Sequence, residues 1–198
     1  MKINQAGINL IKQCEGLRTK AYKALKSEKY YTIGYGHYGI TDANMTISEA
    51  EAEELLLSDL IRFEEIVNTA NDKYHYNFNE NEFSALVSFA YNIGGVIQLT
   101  QNGKRTKAEI ADAMLMYNKS GNWVIEGLKK RRKLERALFL TPVEGDVSQG
   151  ATGGYTESTT IGEIIDDILA GKFGNGEIRK NNIYKTIQNM INDRVAHK

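Results

Sequence analysis

A chain of 198 residues is long enough for one well-packed core plus a small appendage. Its 41% apolar and 25% charged content belongs to an ordinary globular protein and excludes fibrous, disordered and membrane-embedded classes. Basic and acidic residues number 25 each, so the formal charge is zero and no nucleic-acid partner is expected.

Met1 to Gly7 lacks the apolar run of a signal peptide, and no segment is long enough to span a membrane. Neither export by a signal peptide nor a membrane partner is therefore expected. Ile3, Leu10, Ile11 and Cys14 then recur at helical spacing, with Gly7 tolerated between them. Gly16 reads as the stop of this helix, which makes Glu15 its last residue. A carboxylate there faces the negative end of the helix dipole, which biases it towards the protonated form that a general acid needs. On position alone, a solvated surface glutamate is the commoner role. Cys14, the single cysteine, excludes an internal disulfide and suits a reducing compartment. On the apolar face it reads as a core thiol. His37, His75 and His197 are isolated in sequence, so no metal or other cofactor is expected.

Lys26 to Lys29 is a polar turn cluster. Gly34-Tyr35-Gly36-His37-Tyr38-Gly39 satisfies G-x-G-x-x-G, but no buried strand precedes it and no helix opens at its glycines. A glycine-rich β-hairpin fits better than a dinucleotide site. Ser48 with Glu51 forms a capping box that opens a helix, and Leu55, Leu56, Leu60 and Phe63 mark its buried stripe. Asn79 to Asn92 carries Phe83, Leu86, Val87 and Ala90 at helical spacing and ends at Gly94-Gly95. Asn92 reads equally as a cleft-facing polar group and as the helix cap. Two more helices are predicted over 106–117 and 127–140, with Ile110, Met114, Leu128, Leu134 and Leu138 as core positions. Trp123, the only tryptophan, is expected to be a buried anchor rather than a sugar-stacking platform. Arg131, Arg132 and Arg136 offer partners for Glu15 or for anions of a ligand, although a solvated basic helix face is the commoner arrangement.

Pro142 closes this region, and 142–159 is a Gly-, Ser- and Thr-rich linker by composition. Helical periodicity resumes at Ile161, Ile164, Ile165, Ile168 and Leu169, and a last helix is predicted around Tyr184 to Asn192.

Three blocks carry a resemblance to a known family. They are Glu15-Gly16-Leu17-Arg18 with Thr32-Ile33-Gly34-Tyr35-Gly36-His37, then Glu82 to Gly94, then Gly127 to Phe139. In that order they resemble the phage-type lysozymes, glycoside hydrolase family twenty-four. The resemblance implies an α+β, two-lobed fold over residues 1–141, with a small β-hairpin lobe, a larger helical lobe and a cleft between them. It also implies hydrolysis of the β-1,4 bond between N-acetylmuramic acid and N-acetylglucosamine in peptidoglycan. Glu15 takes the general-acid position, and Thr32 the position whose hydroxyl holds the attacking water; without the motif Thr32 reads as an ordinary strand residue. Tyr35, His37 and Asn92 are the substrate-side candidates, His37 more readily as a histidine hydrogen-bonded under the hairpin.

The chain departs from the family in the segment before Thr32, where two residues are inserted and an acidic position is lost. Many members place an aspartate nine residues after the glutamate, where this sequence has Ala24. Glu28 is the nearest acidic side chain, and it reads both as a replacement base and as a solvent-facing turn residue. The gap admits a lytic transglycosylase that uses Glu15 alone, and, outside enzymes, an inactive wall-binding protein.

Residues 160–198 resemble the Cpl-seven type of cell-wall-binding repeat, which implies a small three-helix bundle. Gly174, Asn175, Gly176 and Arg179 are its binding candidates, with Phe173 in place of the family's usual tryptophan. The whole reads as a modular endolysin and an expected monomer, held in the host cytoplasm until a holin releases it to the cell wall.

Overall fold

The computed structural model describes residues 1–143. The linker beyond that point and the proposed wall-binding repeat, with Gly174, Asn175, Gly176 and Arg179, lie outside the described residues.

The first helix, α1 (Gln5–Glu15), ends at Glu15 as its sequence requires, and Gly16 closes it with its N–H on the Lys12 carbonyl. Asn4 caps the other end, its side chain accepting from the Gly7 N–H. The buried stripe is Gly7, Ile8, Leu10 and Ile11. Gly7 has a packing reason: a Cβ there would stand 2.8 Å from the Ser84 Cβ, so only glycine lets the two helices approach this closely.

The chain then enters a three-stranded antiparallel sheet, β1 (Arg18–Tyr22), β2 (Tyr31–Gly34) and β3 (His37–Ile40), in sequence order. Arg18 pairs with Gly34 and Tyr22 with Thr32. Ile33 pairs with His37, so the glycine-rich motif is a tight hairpin and not a phosphate cradle. A bridge from Lys20 to Thr46 brings the returning chain along β1 and leads it into the next helix.

That helix, α2 (Glu49–Tyr74), carries the predicted capping box of Ser48 and Glu51. Its Leu56, Leu60 and Phe63 are buried, whereas Leu55 is only half-buried. Next comes α3 (Glu80–Ile93), the most deeply buried helix, with every residue from Asn81 to Ala90 in the interior. Its C-cap is Gly94, which settles the position of Asn92 inside the last turn. A short α4 (Ile97–Thr100) and α5 (Lys107–Met114) follow. A two-stranded hairpin, β4 (Lys119–Ser120) with β5 (Trp123–Val124), separates α5 from α6 (Glu126–Phe139).

Two expectations fail here. Trp123 is no anchor: it is 78% exposed on β5. On α6, Leu128, Leu134 and Leu138 are only half-buried, and the buried stripe is Arg131, Arg132, Glu135 and Phe139. The reason is ionic pairing, which lets a charged face enter the core when every charge finds a partner. No helix among the described residues is long and apolar enough to cross a membrane.

Candidate active site

The site is built where α1 stops. Glu15 Oε1 accepts from Arg131 Nη1 at 2.5 Å, and 26% of the Glu15 side chain remains accessible. Arg131 does not belong to a solvated face. It is 4% exposed, gives its Nε to Glu135 Oε1 at 3.0 Å and its Nη2 to the Ser88 carbonyl at 3.1 Å. One planar guanidinium therefore holds three acceptors on three elements, a task that suits arginine's fixed fork of donors.

Glu135 is fully buried and is satisfied from several sides. It accepts from the Ser88 hydroxyl at 2.8 Å and from Arg132 Nη2 at 3.0 Å, with Arg132 Nε 2.7 Å from its second oxygen. Arg132 also donates to Asn92 Oδ1 at 3.0 Å and lies over the Phe89 ring, 4.7 Å from its centroid. Burial pushes the Glu135 carboxyl up, against the pull of Arg132 and Arg131. Burial also works against the Arg131 charge, but Glu135 and Glu15 outweigh it and hold the guanidinium above its ordinary value. Arg132, with burial dominant, is held below its ordinary value. Cys14, next to Glu15, is only half-buried and not part of the core stripe, and burial still pushes its thiol up. Arg136 stands apart, paired with Asp112 on the exposed side.

The hairpin supplies the opposite wall. The Tyr91 hydroxyl donates to the Tyr35 carbonyl at 2.8 Å. At Gly36, with φ 100°, a Cβ would stand 3.2 Å from the Tyr91 hydroxyl and 3.8 Å from Glu15 Oε2. Glycine thus does two things there: it adopts the turn and lets the backbone reach the carboxylate. Burial, then the Glu15 and Asp59 carboxylates, push the Tyr91 phenol far up, so it stays protonated and remains a donor.

The other candidates divide. His37 Nδ1 lies 2.9 Å from Asp59 Oδ2, a carboxylate of α2. Tyr35 is buried, with its hydroxyl on Glu49 at 3.2 Å; its carbonyl faces the site and its ring does not. Asn92 is exposed and braced by Arg132. Thr32 is buried on β2, two residues from Gly34. Glu28 Oε2 accepts the Ala24 N–H at 2.9 Å, which ties the Glu28 carboxylate to its own turn. Asp59 and Tyr91 were missed by the sequence reading. Tyr91 lay inside a recognised block without a role, and nothing in spacing links Asp59 to His37.

A family model described as phage lysozyme matches residues 12–135, a span containing Glu15, the hairpin and Arg131. The chain belongs to the phage lysozyme family. Among curated relatives, the endolysin of Bacillus phage B103 is 47% identical over 168 residues, covering 80% of this chain and 62% of that protein. The chain thus spans about three fifths of the first curated relatives it matches, 62% and 60% of their lengths. Among solved members and neighbours, the muramidase domain of SpmX from Asticaccaulis excentricus superposes with a TM-score of 0.64 at 35% identity, covering 71% of this chain and 99% of that one. P22 lysozyme gives a TM-score of 0.57 at 36% identity, over 71% and 99%. The phage lysozyme fold, with its small sheet and larger helical lobe, is therefore the fold of residues 1–139.

Proposed function

We propose that this chain is an endolysin that hydrolyses the β-1,4 bond between N-acetylmuramic acid and N-acetylglucosamine in bacterial peptidoglycan. The observation that carries the reading is the disposition of Glu15: one oxygen is held by a buried guanidinium and the other is left towards Gly36. In this scheme Arg131 fixes the orientation of the carboxyl, and Oε2 is the atom that hands its proton to the glycosidic oxygen. Glu28, braced on the Ala24 N–H, is the second carboxylate and takes the proton of the attacking water, which the Thr32 hydroxyl holds. Family membership and the endolysin and muramidase relatives support the substrate class.

The site candidates beyond these two roles are Asn92 and the Tyr35 carbonyl on the substrate side, with His37 as a brace through Asp59. Residues 160–198 are a wall anchor in this proposal, through Gly174, Asn175, Gly176 and Arg179. The enzyme acts as a monomer, and a holin gives it access to the wall. Incubation with purified walls tests the whole reading. Clearing with release of ordinary reducing ends is expected. Anhydromuramic ends would replace hydrolysis by transglycosylation, and binding without clearing would remove the enzyme reading.

A further inference from the structure

We propose that Trp123 is a glycan-stacking platform that extends the substrate cleft beyond the reacting bond; the proposal rests on the hydrolase reading above. Trp123 is 78% exposed, which is unusual for the residue that buries the largest apolar surface. It is also held in place. Ser120 pairs with Trp123 and Lys119 with Val124, Gly121 turns the hairpin at φ 58°, and the Ile125 N–H closes its base on the Asn118 carbonyl at 2.9 Å. Just before the hairpin, Tyr117 packs edge-on against Phe89 of α3, with centroids 5.0 Å apart.

The hairpin stands at the end of the molecule that fronts Glu15. Phe139, at the end of α6, packs edge-on against Phe78, just before α3, whereas Arg132, nearer the start of α6, meets Asn92 at the end of α3, so the two helices run antiparallel. The last turn of α3 and the first turn of α6 therefore share one end. Tyr91, in that last turn, touches the hairpin backbone beside the Glu15 carboxylate. From Arg131 back to Glu126 is about 7.5 Å at the helical rise, and three extended residues add at most about 10 Å. The Trp123 backbone thus lies within about 18 Å of that of Arg131, the residue that holds the Glu15 carboxylate. Ile93, Ile97 and Met116, on segments near this end, are exposed as well. The flat C–H face of an N-acetylhexosamine is the ligand chemistry that an exposed indole on a hydrogen-bonded hairpin suits. Its place at the end of the helical lobe that carries Tyr91 and Glu15 favours the glycan strand, rather than a membrane, as the occupant.

Because Trp123 is the only tryptophan, its emission reports this ring alone. In full-length Glu15→Gln, soluble peptide-free glycan strands should shift the emission to the blue and protect it from acrylamide. In the otherwise unsubstituted enzyme, Trp123→Ala should raise KM for long strands about tenfold, the size of one stacking contact of about 1.4 kcal/mol, with kcat within about twofold. Trp123→Tyr should recover most of the loss. Unmoved emission in the presence of strands that the parent enzyme cleaves overturns the platform and leaves the hydrolase intact. A shift without any cleavage by the parent keeps the platform and sinks the hydrolase. A shift with anionic lipid vesicles and none with glycan makes the ring a membrane contact and overturns the proposal.

Discussion

The Arg131 guanidinium closes on the Glu15 carboxylate across 116 positions of sequence. One end of the pair is buried in the helical lobe and the other opens beside the hairpin turn. Glu15 is therefore the accessible tip of a charge network whose remaining members, Arg131, Arg132 and Glu135, are almost wholly enclosed.

Glu15→Gln is expected to stop wall lysis while leaving the fold in place. Glutamine keeps the shape and can still accept from Arg131, but it has no proton to transfer, and a positioned general acid contributes roughly 10²–10⁴-fold. Turbidity clearing and a melting curve check this together. More than half the parent rate with unchanged melting removes Glu15 from the role.

Arg131→Ala should be more damaging to stability than to any single contact. It strips partners from fully buried Glu135 and from Glu15, and breaking such a pair from one side costs about 3–5 kcal/mol. Arg131→Lys should recover only a minor part, because one ammonium cannot span Glu15, Glu135 and the Ser88 carbonyl. Urea denaturation measures both; a loss under about 1 kcal/mol for the alanine variant would refute the network's structural role.

Glu28→Gln separates the two carboxylates. As the base, Glu28 is expected to be worth roughly 10²-fold or more, with Glu28→Asp intermediate because the shorter arm loses the Ala24 N–H. On the proposed chemistry, Thr32→Val should lower kcat as well, by removing the hydroxyl assigned to the attacking water at nearly constant volume. If Glu28→Gln leaves kcat within about threefold, the carboxylate only braces its loop.

The acid limb of stability should run through the helix caps. Hydrogen bonds from the Ser48 backbone and side chain hold Glu51 below its ordinary 4.5, and Thr106 does the same for Glu109. A carboxylate whose pKa is depressed by folding contributes stability that is fully present above the unfolded value and is lost as pH falls through the folded one. The melting temperature should therefore drop as pH falls below 4.5. The double variant Glu51→Gln, Glu109→Gln should start lower at neutral pH and fall less steeply. Parallel curves for parent and variant would exclude the caps as a cause.

Much of the frame was legible because its signals are local. Gly16 and Gly94 stop helices, Ser48 with Glu51 starts one, and the glycine-rich run between Ile33 and His37 turns a hairpin. The site was legible only in part. Arg131 and Arg132 read as a solvated face or as partners of Glu15, and the choice was not legible because their burial depends on Ser88 and Asn92 of another helix, which periodicity does not see. Likewise Asp59 meets His37 only after α2 packs on the sheet. Trp123 was misread because its strand is two residues long, too short to show an alternation that would place the ring outside.

The separation between Glu15 and Arg131 also orders the protein's birth. A ribosome that has delivered α1, the sheet and α2 has made Glu15, the hairpin and Asp59, yet none of the buried cations that hold the carboxylate. Those arrive with α6, after a long loop has been closed at an entropic cost. On the proposed chemistry, an unfinished chain then carries the acid without the means to aim it, and lytic competence appears only once residue 131 has left the exit tunnel and docked.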